Sequence, residues 1–187
     1  MIEVRPGGRR RIDRVLGEDY TSGIEQMPLA ELRERRDEAA QEETDLSFLR
    51  RMLHARIDIV RAEQTRRASG GQHSVVDQLT AILAKNAIHT PARPGRYQPM
   101  EPTRTGECRR QVESLIADAG LTDVESLSDD ALAEGLDAYL TEEASVSGRR
   151  QQVQAVVDRL NAEITTRYAA GHASVDELLA TERGDQL

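Results

Sequence analysis

The sequence predicts an all-α chain. Two long helices fold back on each other as an antiparallel coiled-coil hairpin, with short accessory helices and a flexible Pro-rich linker. Three observations lead there: a composition suited to helices, two long stretches free of proline, and an internal repeat that superposes those stretches. Hydrophobic residues make up 38%, aromatics only 3%, and charged residues 31%, with one Phe and no Trp. A sheet-based core of this length draws on more β-branched and aromatic bulk. Abundant Ala, Leu, Glu and Arg suit long helices with narrow apolar stripes.

The elements follow in chain order. Residues 1–26 read as a mobile N-terminal segment, with one apolar patch at Ile12, Val15 and Leu16 that could form a short helix or docking segment. Residues 27–90 hold the first long helix and a short one. The long helix begins at Pro28, where a missing N–H is harmless. It runs to about Ala68 and stops at Ser69, Gly70 and Gly71. A short helix from Ser74, approximately boxed by Asp77, carries Val75, Leu79, Ile82 and Leu83 on one face.

Residues 91–106 contain four prolines and two glycines and read as the linker. Residues 107–187 hold three helices. The first spans Glu107 to Ala119, with Val112, Leu115 and Ile116 on one side and Gly120 closing it. The second long helix, capped by Ser128, runs to about Ala170. A last short helix spans Ser174 to Glu182. The whole is a single domain with an internal repeat.

Shifting the chain by 100 residues superposes the two long helices without a gap. Leu32 falls on Leu132, Glu34 on Glu134 and Asp37 on Asp137. Glu42 and Glu43 fall on Glu142 and Glu143, and Ala62 and Glu63 on Ala162 and Glu163. One residue out of phase, His73, Asp77 and Leu79 mirror His172, Asp176 and Leu178.

Within the repeat one polar set recurs at one spacing. The second copy is Glu143, Ser147, Arg150, Gln154 and Asp158; the first is Glu43, Ser47, Arg50, His54 and Asp58. At ~100° per residue each set falls within roughly 80° of arc, one stripe about four turns long. A coiled-coil seam overlaps that stripe. Leu32, Ala39, Leu46, Leu53 and Val60 take the d positions of the first helix; Leu29, Arg36, Glu43, Arg50 and Ile57 take a. In the second helix the d series is Leu132, Tyr139, Val146, Val153 and Leu160, and the a series Asp129, Leu136, Glu143, Arg150, Val157 and Ile164.

Charges at central a positions weaken a coiled coil unless they are paired. Register-fixing or a solvated salt-bridged face would account for a single such charge. Here apolar neighbours differ between the halves (Leu49 against Arg149, Met52 against Gln152), while four of the five polar residues are identical. A merely solvated stripe should drift at least as readily as the packing residues.

The set suits a guanine-bearing anion. Arg donates a bidentate pair to guanine O6 and N7, worth ~1–3 kcal/mol of discrimination. Asp58 and Asp158 can accept from guanine N1–H and N2–H, which adenine does not offer. Ser47 and Ser147 can donate to phosphate oxygens, and Gln154 can bridge a base edge or a phosphate. Two such stripes side by side would match a ligand that is itself twofold symmetric.

The spacing Glu-x3-Ser-x2-Arg-x3-Gln-x3-Asp resembles the signature of the RsiG family, cyclic di-GMP-responsive anti-sigma factors of filamentous actinobacteria. Residues 143–158 match it in full; residues 43–58 match with His54 in place of Gln. The stretches Leu46 to Leu53 and Ile57 to Val60 also look like that family. The resemblance covers both long helices and extends to the His73 and His172 segments, and two copies in register make it specific.

The resemblance implies an antiparallel coiled coil that binds a pair of intercalated cyclic di-GMP molecules through the ten motif residues. It also implies that the loaded protein sequesters a WhiG-like sporulation sigma factor, with the nucleotide bridging the two proteins. Falling cyclic di-GMP would then free the sigma factor for RNA polymerase. His54 departs from the pattern, since imidazole is shorter than Gln and cannot supply both an amide donor and a carbonyl acceptor. If it touches ligand, affinity should vary around pH 6–7.

Other classes fit less well. A net charge of −8, from 25 basic and 33 acidic residues, disfavours direct DNA binding and suits a basic protein partner. The Arg9, Arg10, Arg11 cluster reads as a solvated leader rather than a nucleic-acid contact. The lone Cys108 allows no disulfide framework, which suits a reducing cytoplasm. No apolar run approaches a membrane span or a signal core, so a cytoplasmic protein is expected.

No phosphate-binding Gly loop, paired helical His or nucleophile elbow suggests an enzyme. His73, His89, His172 and Cys108 are poorly spaced for zinc, and the two matched His read as structural residues before helix caps. The acidic pairs Asp129-Asp130 and Glu142-Glu143 read as solvated or charge-balancing. The alternative function is a constitutive coiled-coil adaptor that binds a protein partner without nucleotide.

Overall fold

The computed structural model describes residues 4–70, 101–117 and 124–171. The expected short helices after Ser74 and Ser174, all but the end of the Pro-rich stretch, and His73, His89 and His172 lie outside the described residues. Four α-helices are described: α1 (Arg11–Val15), α2 (Leu29–Ala68), α3 (Thr105–Ala117) and α4 (Asp129–Ala169). Short 3₁₀ turns span Glu18–Thr21, Ile24–Gln26 and Val124–Ser126. No strand occurs among the described residues. The fold is all-α, and the two long helices pack against each other.

The boundaries have local causes. Leu32 N donates to the Pro28 carbonyl, so α2 starts where proline supplies its first acceptor. Ser128 Oγ accepts from the Ala131 amide, a side-chain cap on α4. Both long helices end on a glycine in the left-handed region, Gly70 at φ 83° and Gly171 at φ 73°, a conformation that any Cβ would strain. Helix α3 begins at Thr105, two residues before the Glu107 expected from composition. Gly106 is tolerated in its first turn, and a buried carboxylate from α2 holds the residues just before it.

The described chain falls into two compact units. The first comprises residues 44–70, 101–117 and 124–150; the second comprises 4–43 and 151–171. In the first unit, Arg50 meets Glu143 and Arg67 meets Asp129, so numbering rises along α2 as it falls along α4. In the second, the beginning of α2 lies beside the end of α4: Arg33 donates to the Tyr168 hydroxyl and its guanidinium sits 5.6 Å from the ring centroid. The pairing is antiparallel, as the family resemblance implies.

All ten expected d residues are buried, none more than 2% exposed. The a column is mixed, as expected: Ile57, Val157 and Ile164 are buried, whereas Glu43, Arg50, Glu143 and Arg150 are half-buried. Residues 4–26 add core of their own, burying Ile12, Val15, Tyr20 and Ile24 beside Met27. Two of the three arginines expected in a solvated leader are engaged there, while Arg9 is exposed. Arg10 pairs with buried Asp13 at 2.7 Å, and Arg11 lies 3.8 Å from Glu42.

In the first unit, Asp45 is 1% exposed and accepts from the Thr103 amide (2.6 Å), the Thr103 hydroxyl (2.8 Å) and Arg104 Nε (3.2 Å). Burial alone would raise its carboxyl, but the Thr103 bonds and the Arg104 charge hold it below its ordinary value. This clasp delivers Cys108 and Val112 of α3 into the core. Burial pushes the Cys108 thiol up, keeping it in the neutral form.

Of the two acidic pairs, Asp129 and Asp130 are exposed, whereas Glu142 is 4% exposed and Glu143 is half-buried and paired with Arg50, so the second pair is charge-balancing rather than a solvated face. The reason is the seam itself, since Glu143 occupies an a position and Glu142 flanks it.

Candidate functional site

Four motif residues form one hydrogen-bonded network in the first unit. Arg50 Nε donates to Glu143 Oε1 at 2.9 Å and to Ser147 Oγ at 2.8 Å. Ser147 donates its own proton to Glu143 Oε1 at 2.7 Å, and His54 Nε2 lies 3.0 Å from the same oxygen. Helix spacing makes this possible. Arg50 and His54 are one turn apart on α2, Glu143 and Ser147 one turn apart on α4, and the antiparallel register sets the pairs opposite each other.

Each pair comes from a different copy of the repeat. The cation and imidazole of the first copy are thus answered by the acceptors of the second. Burial would raise the Glu143 carboxyl, but hydrogen bonds from Ser147, Arg50 and His54 together hold it below its ordinary value. It therefore stays ionised at neutral pH.

The other motif residues are placed as follows. Ser47 and Asp58 on α2 and Arg150 on α4 are half-buried in the first unit. Glu43, Gln154 and Asp158 belong to the second unit, where Gln154 Nε2 donates to Asp158 Oδ1 at 2.9 Å. Arg50 is 39% exposed at its side chain. Among the described residues it is held only through Nε, so its terminal nitrogens keep their donors for another acceptor.

A groove of about 890 Å³ in the second unit, lined by residues such as Gly7, Asp13, Tyr20 and Glu38, contains none of the motif residues. Among the described residues no cluster of three or more His, Cys, Asp or Glu could hold a metal. No described helix is long and apolar enough to cross a membrane.

The residue-by-residue reading missed a second duplicated feature. Glu63, 0% exposed, accepts from Arg66 and Arg67, and Arg67 also reaches the carbonyls of Val124 and Glu125 in the 3₁₀ turn before α4. In the other unit Glu163 accepts from Arg167, which donates to the carbonyls of Ile24 and Met27 around the 3₁₀ turn before α2. The signal lay in the same shift of 100, which maps Arg67 onto Arg167 and Ile24 onto Val124.

The RsiG-like family model matches residues 18–83 and 118–182, more than two thirds of the chain and one segment for each half of the repeat. The chain belongs to the RsiG-like family. Both matched RsiG-like segments start ahead of the long helices and take in the 3₁₀ turns at Ile24–Gln26 and Val124–Ser126, so the Arg staples lie within the family's span. Membership makes the protein a regulator of the RsiG type. No curated protein matches the chain.

Proposed function

We propose that this RsiG-type regulator is an anti-sigma factor. In this reading it binds cyclic di-GMP through the duplicated motif, two molecules per chain, and holds a WhiG-like sporulation sigma factor in a nucleotide-dependent complex. The observation that carries the reading is the state of Arg50. Its guanidinium is anchored by Nε to groups of the opposite repeat and retains its terminal donors, the arrangement a guanine O6/N7 edge requires.

The donor set fits the ligand. Arg50 and Arg150 supply cationic donors for two anionic, guanine-bearing molecules. Asp58 and Asp158 supply carboxylates for guanine N1–H and N2–H. Gln154 supplies an amide. Glu43, Ser47, His54, Glu143 and Ser147 complete the motif. Bound nucleotide would supply negative charge and flat base surface, to which a basic partner could then dock.

Calorimetry with cyclic di-GMP, cyclic di-AMP and GTP, paired with capture of a WhiG-like sigma factor with and without cyclic di-GMP, tests the reading. Cyclic di-GMP alone should bind and should be required for capture. Arg150→Ala or Asp158→Ala should abolish that dependence with helicity intact. Capture that ignores nucleotide would replace this reading with the constitutive adaptor.

A further inference from the structure

We infer that the groove between the N-terminal segment and the start of α2 is a docking site for a partner-protein segment that alternates cationic and apolar side chains. One wall is formed by residues 6–8 and 16–20. The other is the face of α2 that carries Glu31, Glu34, Arg35 and Glu38. Both walls belong to one compact unit. A volume of about 890 Å³ leaves room for several side chains.

The chain answers three of the six carboxylates that line this groove. Asp13 accepts from Arg10 at 2.8 and 2.7 Å. Glu38 accepts from Arg14 and, at 3.0 Å, from the Tyr20 hydroxyl, while Glu31 accepts from Arg35 at 2.7 Å. The two guanidinium groups of the lining, Arg14 and Arg35, are thereby taken up. Glu18, Asp19 and Glu34 are exposed, and among the described residues no hydrogen bond or ion pair reaches their side chains. Three unanswered like charges around one opening repel each other, and an entering cation relieves that repulsion.

The rest of the lining is suited to a peptide rather than to a bare ion. Val4, Pro6 and Leu16 offer apolar surface beside the Tyr20 ring, over which the Arg35 guanidinium lies 5.5 Å from the centroid. Gly7 leaves a gap in the wall, since a Cβ at that position would meet nothing within 4 Å. The walls are already tied together. Tyr20 donates to the Arg35 carbonyl at 2.8 Å, Arg35 donates to the Tyr20 carbonyl at 2.6 Å, and Arg14 holds Glu38. A preformed groove asks little ordering of the chain when a segment enters.

The duplication separates this site from the motif. A shift of 100 residues carries Glu31, Arg35 and Glu38 onto Ala131, Gly135 and Ala138, and only Glu34 keeps its type, as Glu134. The motif recurs in both halves, whereas this wall belongs to the first alone. No motif residue lines the groove, so docking there needs no nucleotide.

Fluorescence anisotropy of the full chain tests the site, using a labelled peptide of alternating Arg and Leu, without nucleotide, at about 0.15 M salt. Glu18→Lys with Glu34→Lys should weaken binding about tenfold, since two attractions become two repulsions. Glu134→Lys with Asp137→Lys makes the same change in net charge at exposed residues outside the groove and should weaken binding less than about twofold. A peptide of alternating Arg and Ser should bind about fivefold more weakly than the Arg–Leu peptide, having nothing to bury against Val4, Pro6 and Leu16. Amide shifts caused by the Arg–Leu peptide should gather at Gly7, Gly8, Leu16 and Gly17.

Equal losses in the two Lys pairs would reduce the attraction to overall charge and overturn the inference. So would an Arg–Ser peptide that binds as tightly as Arg–Leu, or amide shifts centred on the motif residues. The assay contains no cyclic di-GMP, so failure of the nucleotide reading leaves this site standing, and failure of this site leaves that reading intact.

Discussion

Tyr139 occupies a d position, is 1% exposed, and its hydroxyl has no hydrogen-bond partner among the described residues. Burial raises its phenol, as an unanswered desolvation should. A buried hydroxyl without a partner opposes folding, so Tyr139→Phe should stabilise the chain by about 1 kcal/mol, read from urea unfolding. Glu63 presents the opposite case. Hydrogen bonds from Arg66 lead the effects on its carboxyl, burial opposes them, and with Arg67 added the carboxyl is lowered from 4.5 to about 2. A carboxylate depressed on folding stabilises the native state fully above its unfolded value, and that stabilisation is lost as pH falls through the folded one. Melting temperature should therefore drop between about pH 5 and pH 2, and Glu63→Gln should flatten that limb while lowering stability at pH 7.

Among elements, the long helices were legible because their evidence is periodic. A seven-residue repeat of Leu, Ala, Val and Tyr names the d column without reference to anything outside the helix. Capping at Ser128 and termination at Gly70 and Gly171 were legible for the same local reason. The contacts that dock other segments were not. Arg67 and Arg167 act on carbonyls 57 and 140 residues away, and no local pattern specifies such a partner. Asp45 was hidden further, because its counterpart in the repeat is Ser145 and the duplication gives no hint of a clasp. The motif was readable as a stripe. That Arg50 would pair with Glu143 and Ser147 required the register between the helices, which spacing along one helix does not contain. The Asp45 clasp makes an element-scale prediction. Asp45→Ala leaves the Thr103 amide and hydroxyl without their acceptor and should cost about 2–3 kcal/mol. Amide exchange at Thr103 and Arg104 should rise well above that of the Val146 and Val153 stretch, which the substitution does not touch. Equal acceleration in both places would mean that Asp45 supports the whole chain rather than the docking of α3.

At the scale of the whole molecule the governing quantity is the charge of −8. Such a chain repels duplex DNA, and several arginines that could offset this are paired with carboxylates, Arg10 with Asp13, Arg66 with Glu63 and Arg167 with Glu163. A regulator with this charge attracts a basic protein surface, and bound cyclic di-GMP would deepen the attraction by adding phosphate charge. The two contributions respond differently to salt. Long-range attraction between surfaces is screened over about 10 Å at 0.1 M, whereas contacts made at the half-buried motif are screened much less. On the proposed function, raising salt from about 50 to about 500 mM should therefore slow association of a WhiG-like sigma factor with the nucleotide-loaded chain by tenfold or more while changing its dissociation far less. In the same buffers the chain should give no mobility shift with duplex DNA at about 0.15 M salt. A dissociation rate that rises with salt as steeply as association falls would place the partner on the exposed acidic face alone. The half-buried arginines would then have no part in holding it.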